Sequence, residues 1–274
     1  MIELPEARTI ARDLRAEIVG KTVVAVGGDF TGHRFTFYSG DLDEYQRRLV
    51  GQRVDGIVDR NFYVEIVLGD CLLLLRDGAN VRYFVPGDKR PAKSKLLLEF
   101  DDGSALNVTV AMYACIGLQD KDGEIDNKYY ALEVDGVGAM DAAFTLDYFR
   151  GLLDEKTAKL STKAFLATEQ RILGIGNGVV QDILYNAKLN PRRKMNTLSE
   201  AEVEGLYAAV QSTLTAMIEQ GGRDTEKNIY GEKGGYKTIL CSKTYRAGCP
   251  ACAGDIKKEQ YLGGSIYYCP NCQK

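Results

Sequence analysis

The chain has 274 residues, 45% of them hydrophobic, and 35 Lys and Arg against 38 Asp and Glu leave a formal net charge of −3. That length and apolar content suit one large or two medium domains with an ordinary core, and exclude a disordered or fibrous protein. No apolar run approaches the roughly 20 residues of a membrane-spanning helix, and the mixed-charge opening lacks a signal-peptide core, so a cytoplasmic protein is expected.

The chain opens MIELPEARTI. Pro5 suits a first helical turn, and Ile10, Leu14 and Ile18 recur at helical spacing until Gly20 closes the segment. The α-amine therefore stands on a short lead before a helix. With an unperturbed pKa near about 8, about a tenth of such an amine is neutral at pH 7 and able to attack an aldehyde-like sugar carbon. Glu3 could then protonate a ring oxygen or shuttle protons. The same letters are also an ordinary helix start.

From about 22 to 116 the texture is β-rich: TVVAV, RFTFY, FYVEIVL, CLLLLR, KLLLEF and ALNVTVAM, separated by Gly/Asp pairs. This predicts an antiparallel sandwich or barrel. His33, the one histidine, sits beside Arg34 at a strand start and is read either as structural or as a proton-transfer group. Residues 118 to 145 are polar and weakly periodic, a lead into a linker. After 145 the pattern is helical: YFRGLLDEK, TKAFLATEQRIL, GVVQDILYNAKL, and a long stretch from Ser199 to about Gln220 opened by an S-E-A-E capping pattern. Domains are accordingly expected at 1–140, 141–240 and 241–274, the last a part of the C-terminal domain. From Lys156 onward there are 17 Lys and Arg against 11 Asp and Glu, and the remainder has 18 against 27. The basic part is the better candidate for a polyanion, although many solvated surfaces carry such an excess.

Seven cysteines are present, and four form two C-x2-C knuckles, Cys249/Cys252 and Cys269/Cys272. Four thiolates suit a tetrahedral Zn²⁺ whose filled shell leaves no place for water or substrate, so one structural zinc per chain is expected, with iron in the same site or a redox dithiol as the alternatives. The intervening IKKEQYLGGSIYY alternates like two strands around Gly263-Gly264. Between two helical segments lies Gly174-Ile175-Gly176-Asn177-Gly178. It reads as a plain glycine turn, or as a turn whose backbone N–H groups and Asn177 amide suit a phosphate.

Taken together, the ELPE opening, the β-rich first half, K-A-F-L followed by G-I-G-N, and the closing Cys knuckles resemble the formamidopyrimidine-DNA glycosylase and endonuclease VIII family. The resemblance implies an α+β, two-domain fold: an N-terminal β-sandwich with flanking helices, then a helix-two-turn-helix domain with a zinc-finger hairpin. It further implies base-excision repair of damaged or abasic DNA by a monomer: an N-terminal amine attacks C1′ of an everted nucleotide, the base leaves, and the Schiff base eliminates to nick the strand. Carried over, Met1 or Ile2 would supply the amine, Glu3 the acid/base group and Glu6 its support. Lys163, Gly176 and Asn177 would lie near the phosphate, with Cys249, Cys252, Cys269 and Cys272 on zinc.

There are also departures. Ile2 stands where the family has proline, and a residue of that size keeps Met1 in place, so the amine falls one residue, up to about 3.5 Å, too early. Phe62 falls at the phosphate-binding lysine, Gly264 at a zinc-hairpin arginine, and Ala79, Ala114 and Ile116 at the residues that fill the hole left by eversion. Arg60, Arg82, Lys89, Arg90 and Arg246, beside Tyr245, are candidate compensating DNA contacts or solvated surface. Asp224 and Glu226, in the Gly-rich stretch from 221, either read base-edge donors or belong to a plain loop. The leading expectation is a DNA glycosylase with apurinic/apyrimidinic lyase activity. Its competitors are a catalytically impaired binder of damaged DNA, and a zinc-ribbon binder without lesion preference.

Overall fold

The spacing of Ile10, Leu14 and Ile18 produces α1 (Leu4–Ile18), whose apolar face is buried from end to end. Pro5 sits in its first turn, and the Glu3 backbone N–H, just outside the helix, donates to the Glu6 carboxylate at 3.4 Å. The computed structural model describes residues 1–30, 35–125 and 127–274; His33 and Arg34 fall outside the described residues. Two compact units result, one of residues 1–134 with 221–235, the other of 135–220 with 236–274. The segment 221–235, expected within the helical stretch 141–240, thus packs in the first unit, where the Tyr83 N–H donates to the Ile229 carbonyl at 2.9 Å.

After α1 the first unit continues β1 (Val23–Gly27), β2 (Thr36–Tyr38), α2 (Leu42–Leu49), β3 (Val54–Arg60), β4 (Tyr63–Leu68), β5 (Cys71–Phe84), β6 (Leu96–Phe100), β7 (Ala105–Asp120) and α3 (Lys128–Asp135). One sheet runs β1-β6-β7-β5-β4-β3, antiparallel throughout, with β2 added parallel to β7. Its two ends share a core, because Val23, Leu98 and Leu106 at one end cluster with Ile57, Ile66 and Leu73 at the other. The register of β5 against β7 shifts between Asp77 and Ala79, a bulge that bends both long strands. The expected linker is instead occupied by the end of β7 and by α3, which buries Tyr130 and Glu133.

The second unit holds α4 (Leu146–Gly151), α5 (Thr162–Ala167), α6 (Val179–Asn186), α7 (Glu200–Glu219) and the hairpin β8 (Lys257–Tyr261) with β9 (Gly264–Tyr268). The S-E-A-E pattern closes a capping box in which Ser199 and Glu202 satisfy each other's backbone N–H groups. The hairpin turn falls on Leu262-Gly263, both at positive φ (51° and 76°), with Gly264 paired inside β9 opposite Tyr261. Among the described residues no helix is long and apolar enough to cross a membrane.

Candidate functional site

Helix α1 and the 221–235 segment build a charged cluster at the chain start. The Met1 amine lies 2.5 Å from a Glu226 carboxylate oxygen. Ile2 is 3% exposed, its side chain in the core and its N–H donating to the Asp77 carbonyl at 2.6 Å. The Ile2 nitrogen is a hydrogen-bonded amide. A cavity of about 540 Å³ opens beside them, lined by Met1, Ile2, Glu6, Asn80, Arg82 and Glu226 among others.

Glu3 and Glu6 are both buried, and between them lies the equally buried Arg223. Its Nε and Nη2 donate to Glu6 at 3.0 and 2.7 Å, and its Nη1 is 3.7 Å from Glu3. The two carboxylates hold the guanidinium pKa above its ordinary range despite burial that opposes its charge. Gly222, at φ +92°, turns the chain so that the Arg223 N–H also reaches Glu6, at 3.3 Å. Asp77 joins from β5: burial lifts its carboxyl above the usual range while Arg76 and the terminal amine pull it down. Arg223 and Asp77 carry no signal in local sequence, since their partners are set by tertiary packing.

Other expected residues of this unit are placed differently. Arg60 is ion-paired to the buried Glu65, which also accepts from the Tyr130 hydroxyl at 2.8 Å. Asp224 is half-buried in the segment that carries Arg223. Phe62 lies under the Arg76 guanidinium, 5.6 Å from ring centre to Cζ. Ala79, Ala114 and Ile116 are core residues, exposed 4, 0 and 0%. All three lie on the core-facing alternation of β5 and β7, so their side chains pack inside the first unit instead of standing at its surface. Exposed near the bend are Asn80, Met112 and Tyr113 instead.

In the second unit Gly176 and Asn177 precede α6, with Asn177 exposed and its amide donating to the Ser265 carbonyl of β9 at 3.2 Å. Gln181 ties the same helix to the hairpin, donating to Ser265 and accepting from the Tyr267 N–H, each at 3.0 Å. A Cβ at Gly264 would lie 3.0–3.1 Å from the Asn177 side chain, so a larger residue there makes Asn177 shift by a few tenths of an ångström. Lys163, 2% exposed, donates to the Tyr261 carbonyl at 2.6 Å, and burial lowers its pKa to about 8. Its ammonium props the hairpin from beneath instead of reaching outward to a phosphate. Arg246 is exposed and donates to its neighbour Tyr245 at 3.1 Å.

The four knuckle cysteines gather with all sulfurs within 4.8 Å of one another, Cys249 to Cys272 at 3.8 Å and Cys252 to Cys269 at 3.6 Å. A tetrahedron of ~2.3 Å metal–sulfur bonds has edges of about 3.8 Å, so the set fits a metal ion. The buried Gln273 accepts from the Cys269 N–H at 2.8 Å and donates to the Leu189 carbonyl at 3.0 Å, fixing the second knuckle.

A β-rich first domain followed by a helical domain with a four-cysteine hairpin is the architecture of one class of known proteins. The formamidopyrimidine-DNA glycosylase N-terminal domain matches residues 1–110 and the formamidopyrimidine-DNA glycosylase H2TH domain residues 136–228. A formamidopyrimidine-DNA glycosylase of Lactobacillus delbrueckii is 30% identical over 293 residues, covering 100% of both chains, and that of Brevibacillus brevis is 28% identical over 280, covering 100% of this chain and 99% of its own. Among solved structures, Lactococcus lactis Fpg (MutM) with a FAPY-dG containing DNA gives a TM-score of 0.82 at 25% identity, over 99% of this chain and 100% of that one. The same organism's Fpg with an abasic site containing DNA gives 0.83 at 24%, over 99% of each chain. The chain belongs to the formamidopyrimidine-DNA glycosylase family.

Proposed function

We propose that this protein is a base-excision-repair DNA glycosylase with apurinic/apyrimidinic lyase activity, acting on damaged or abasic DNA through the Met1 α-amine. The observation that carries this reading is the convergence of the amine, Glu6 and Glu226 on one cavity, with Glu3 buried beside the same Arg223. The ammonium first gives a proton to a neighbouring carboxylate, of which Glu226 is at hand at 2.5 Å. The neutral amine adds to C1′ of an everted nucleotide and the C1′–base bond breaks, the base leaving with a proton. Glu3 protonates the ring oxygen as the sugar opens to the imine, and loss of a C2′ proton expels the 3′ phosphate.

Zn²⁺ is the metal we assign to the four cysteines, in a structural role, because their thiolates fill its coordination shell. We further assign Gly176, Asn177 and Arg246 to the DNA backbone, and keep Arg60 and Asp224 as supports of their own loops. The expected working form is a cytoplasmic monomer, which sedimentation and cell fractionation would check.

One feature favours a second reading, a binder of damaged DNA without chemistry: the Met1 amine is sequestered by Glu226 and the Ile2 nitrogen by Asp77. Strand cleavage on abasic and oxidised oligonucleotides separates the two. The lyase reading requires cleavage by the parent protein and a loss of about 100-fold or more in Glu3→Gln with binding retained. Tight binding without cleavage of any such substrate would support the second.

A further inference from the structure

The outer face of the large sheet, opposite its core, carries a set of planar side chains. Register places Phe37 of β2 beside Cys115 of β7, Cys115 beside Arg76 of β5, and Arg76 beside Tyr63 of β4, so these four share one rung and one face. The Arg76 guanidinium is 12% exposed and lies 4.8, 5.3 and 5.6 Å from the ring centres of Tyr63, Tyr129 and Phe62. Helix α3 covers only part of this face. Phe37 is 60% exposed, Phe35 52%, Tyr129 49% and Tyr113 41%.

We propose that this face is a stacking platform for unpaired bases, so that the DNA taken by this protein is single-stranded or open around the reacting nucleotide. The inference rests on the glycosylase reading for its substrate and deepens it. Large exposed apolar patches mark interaction surfaces, and three features select bases as the occupant. The Lys128 ammonium, 5.1 Å from the Tyr129 ring centre, gives the apolar face a cation for a phosphate-linked strand, while the Arg76 guanidinium, paired to Asp77 at 3.5 Å, lies among the rings. Phe35 and Phe37, two residues apart, are both exposed, so each offers a ring face to a base. The platform also reaches the candidate site. Asp77, next to Arg76, accepts from the Ile2 N–H at 2.6 Å through its backbone carbonyl. A duplex hides its base faces in its own stack and offers nothing to these rings, whereas an open strand exposes every one.

The test uses the zinc-loaded full chain and undamaged fluorescein-labelled 20-nucleotide DNA, as a single strand and as a duplex, read by anisotropy. The parent protein should bind the single strand at least about 10-fold tighter. Phe37→Ser and Tyr129→Ser should each lose about 10-fold on the single strand, Tyr129→Phe should keep the parent affinity, and the salt dependence should not change because no phosphate contact is removed. Equal single-strand affinity in the parent and both serine variants would overturn the platform. So would a concentration-dependent dimer abolished by Phe37→Ser, which would give the face to a second copy of the chain. Trapping with borohydride on abasic DNA runs in parallel: ring-dependent single-strand binding without an adduct would remove only the lyase reading, and adduct formation indifferent to Phe37 and Tyr129 would remove only the platform.

Discussion

Arg223 closes on Glu6 through two parallel hydrogen bonds, 3.0 and 2.7 Å long, with both side chains out of water. The pair fastens the 221–235 segment to the start of α1, and Glu226 in the same segment holds the Met1 amine. Removing one partner of a buried pair strands the other charge. Arg223→Met is therefore expected to cost about 3–5 kcal/mol in urea unfolding, and Glu6→Gln in the same background should recover part of it. A loss under about 1 kcal/mol would mean that Glu6 finds water on its own.

A Cβ on Gly264 would lie 3.0–3.1 Å from the Asn177 side chain, tight enough that Asn177 must give way. Gly264→Arg, which puts back the residue type the family resemblance implies, should push Asn177 off the Ser265 carbonyl. We expect about 1–2 kcal/mol lost in thermal unfolding and no gain in DNA affinity. Tighter DNA binding at unchanged stability would show that the hairpin can accept the arginine.

Glu133 gives a pH signature. Burial lifts its carboxyl from 4.5 to about 7, against hydrogen bonds from Asn61 and Phe62 and the charge of Arg76. A raised carboxyl pKa means that the folded state holds the proton more tightly than the unfolded one. Its contribution is full below about pH 4.5 and is lost as pH climbs through about 7. Glu133→Gln should thus gain on the parent protein across that window, by on the order of 2 kcal/mol at its upper end. Parallel stability curves for the two proteins would contradict this.

The knuckle cysteines should carry one zinc per chain, released by Cys269→Ser or a strong chelator. Amide exchange in β8 and β9 should then speed up to that of an open strand, because the metal and Gln273 together hold the hairpin ends. Unchanged protection after metal loss would assign the hairpin's order to Lys163 and Gln181 alone.

Local chemistry made part of this architecture legible. Ile10, Leu14 and Ile18 announced α1, Ser199 and Glu202 the start of α7, and the two Cys knuckles the hairpin. Helices α2 and α3 were missed because α2 is a short, mostly charged segment with Leu42, Tyr45 and Leu49 as its apolar positions, and α3 buries only Tyr130 and Glu133. Ala79, Ala114 and Ile116 were assigned to the gap left by the everted base and are core, because they belong to the alternating sets of β5 and β7 that face inward on both sides of the bulge. Arg223 was visible as a letter in a glycine-rich stretch, but a pairing across 217 positions leaves no trace in its neighbours.

Borohydride trapping on abasic-site DNA, with the adduct located by tandem mass spectrometry, tests the central claim most directly. The account predicts a covalent DNA adduct on the α-amine of a retained Met1, lost when Glu3 is changed to Gln. Binding without any adduct, or an adduct on an internal lysine, would contradict it.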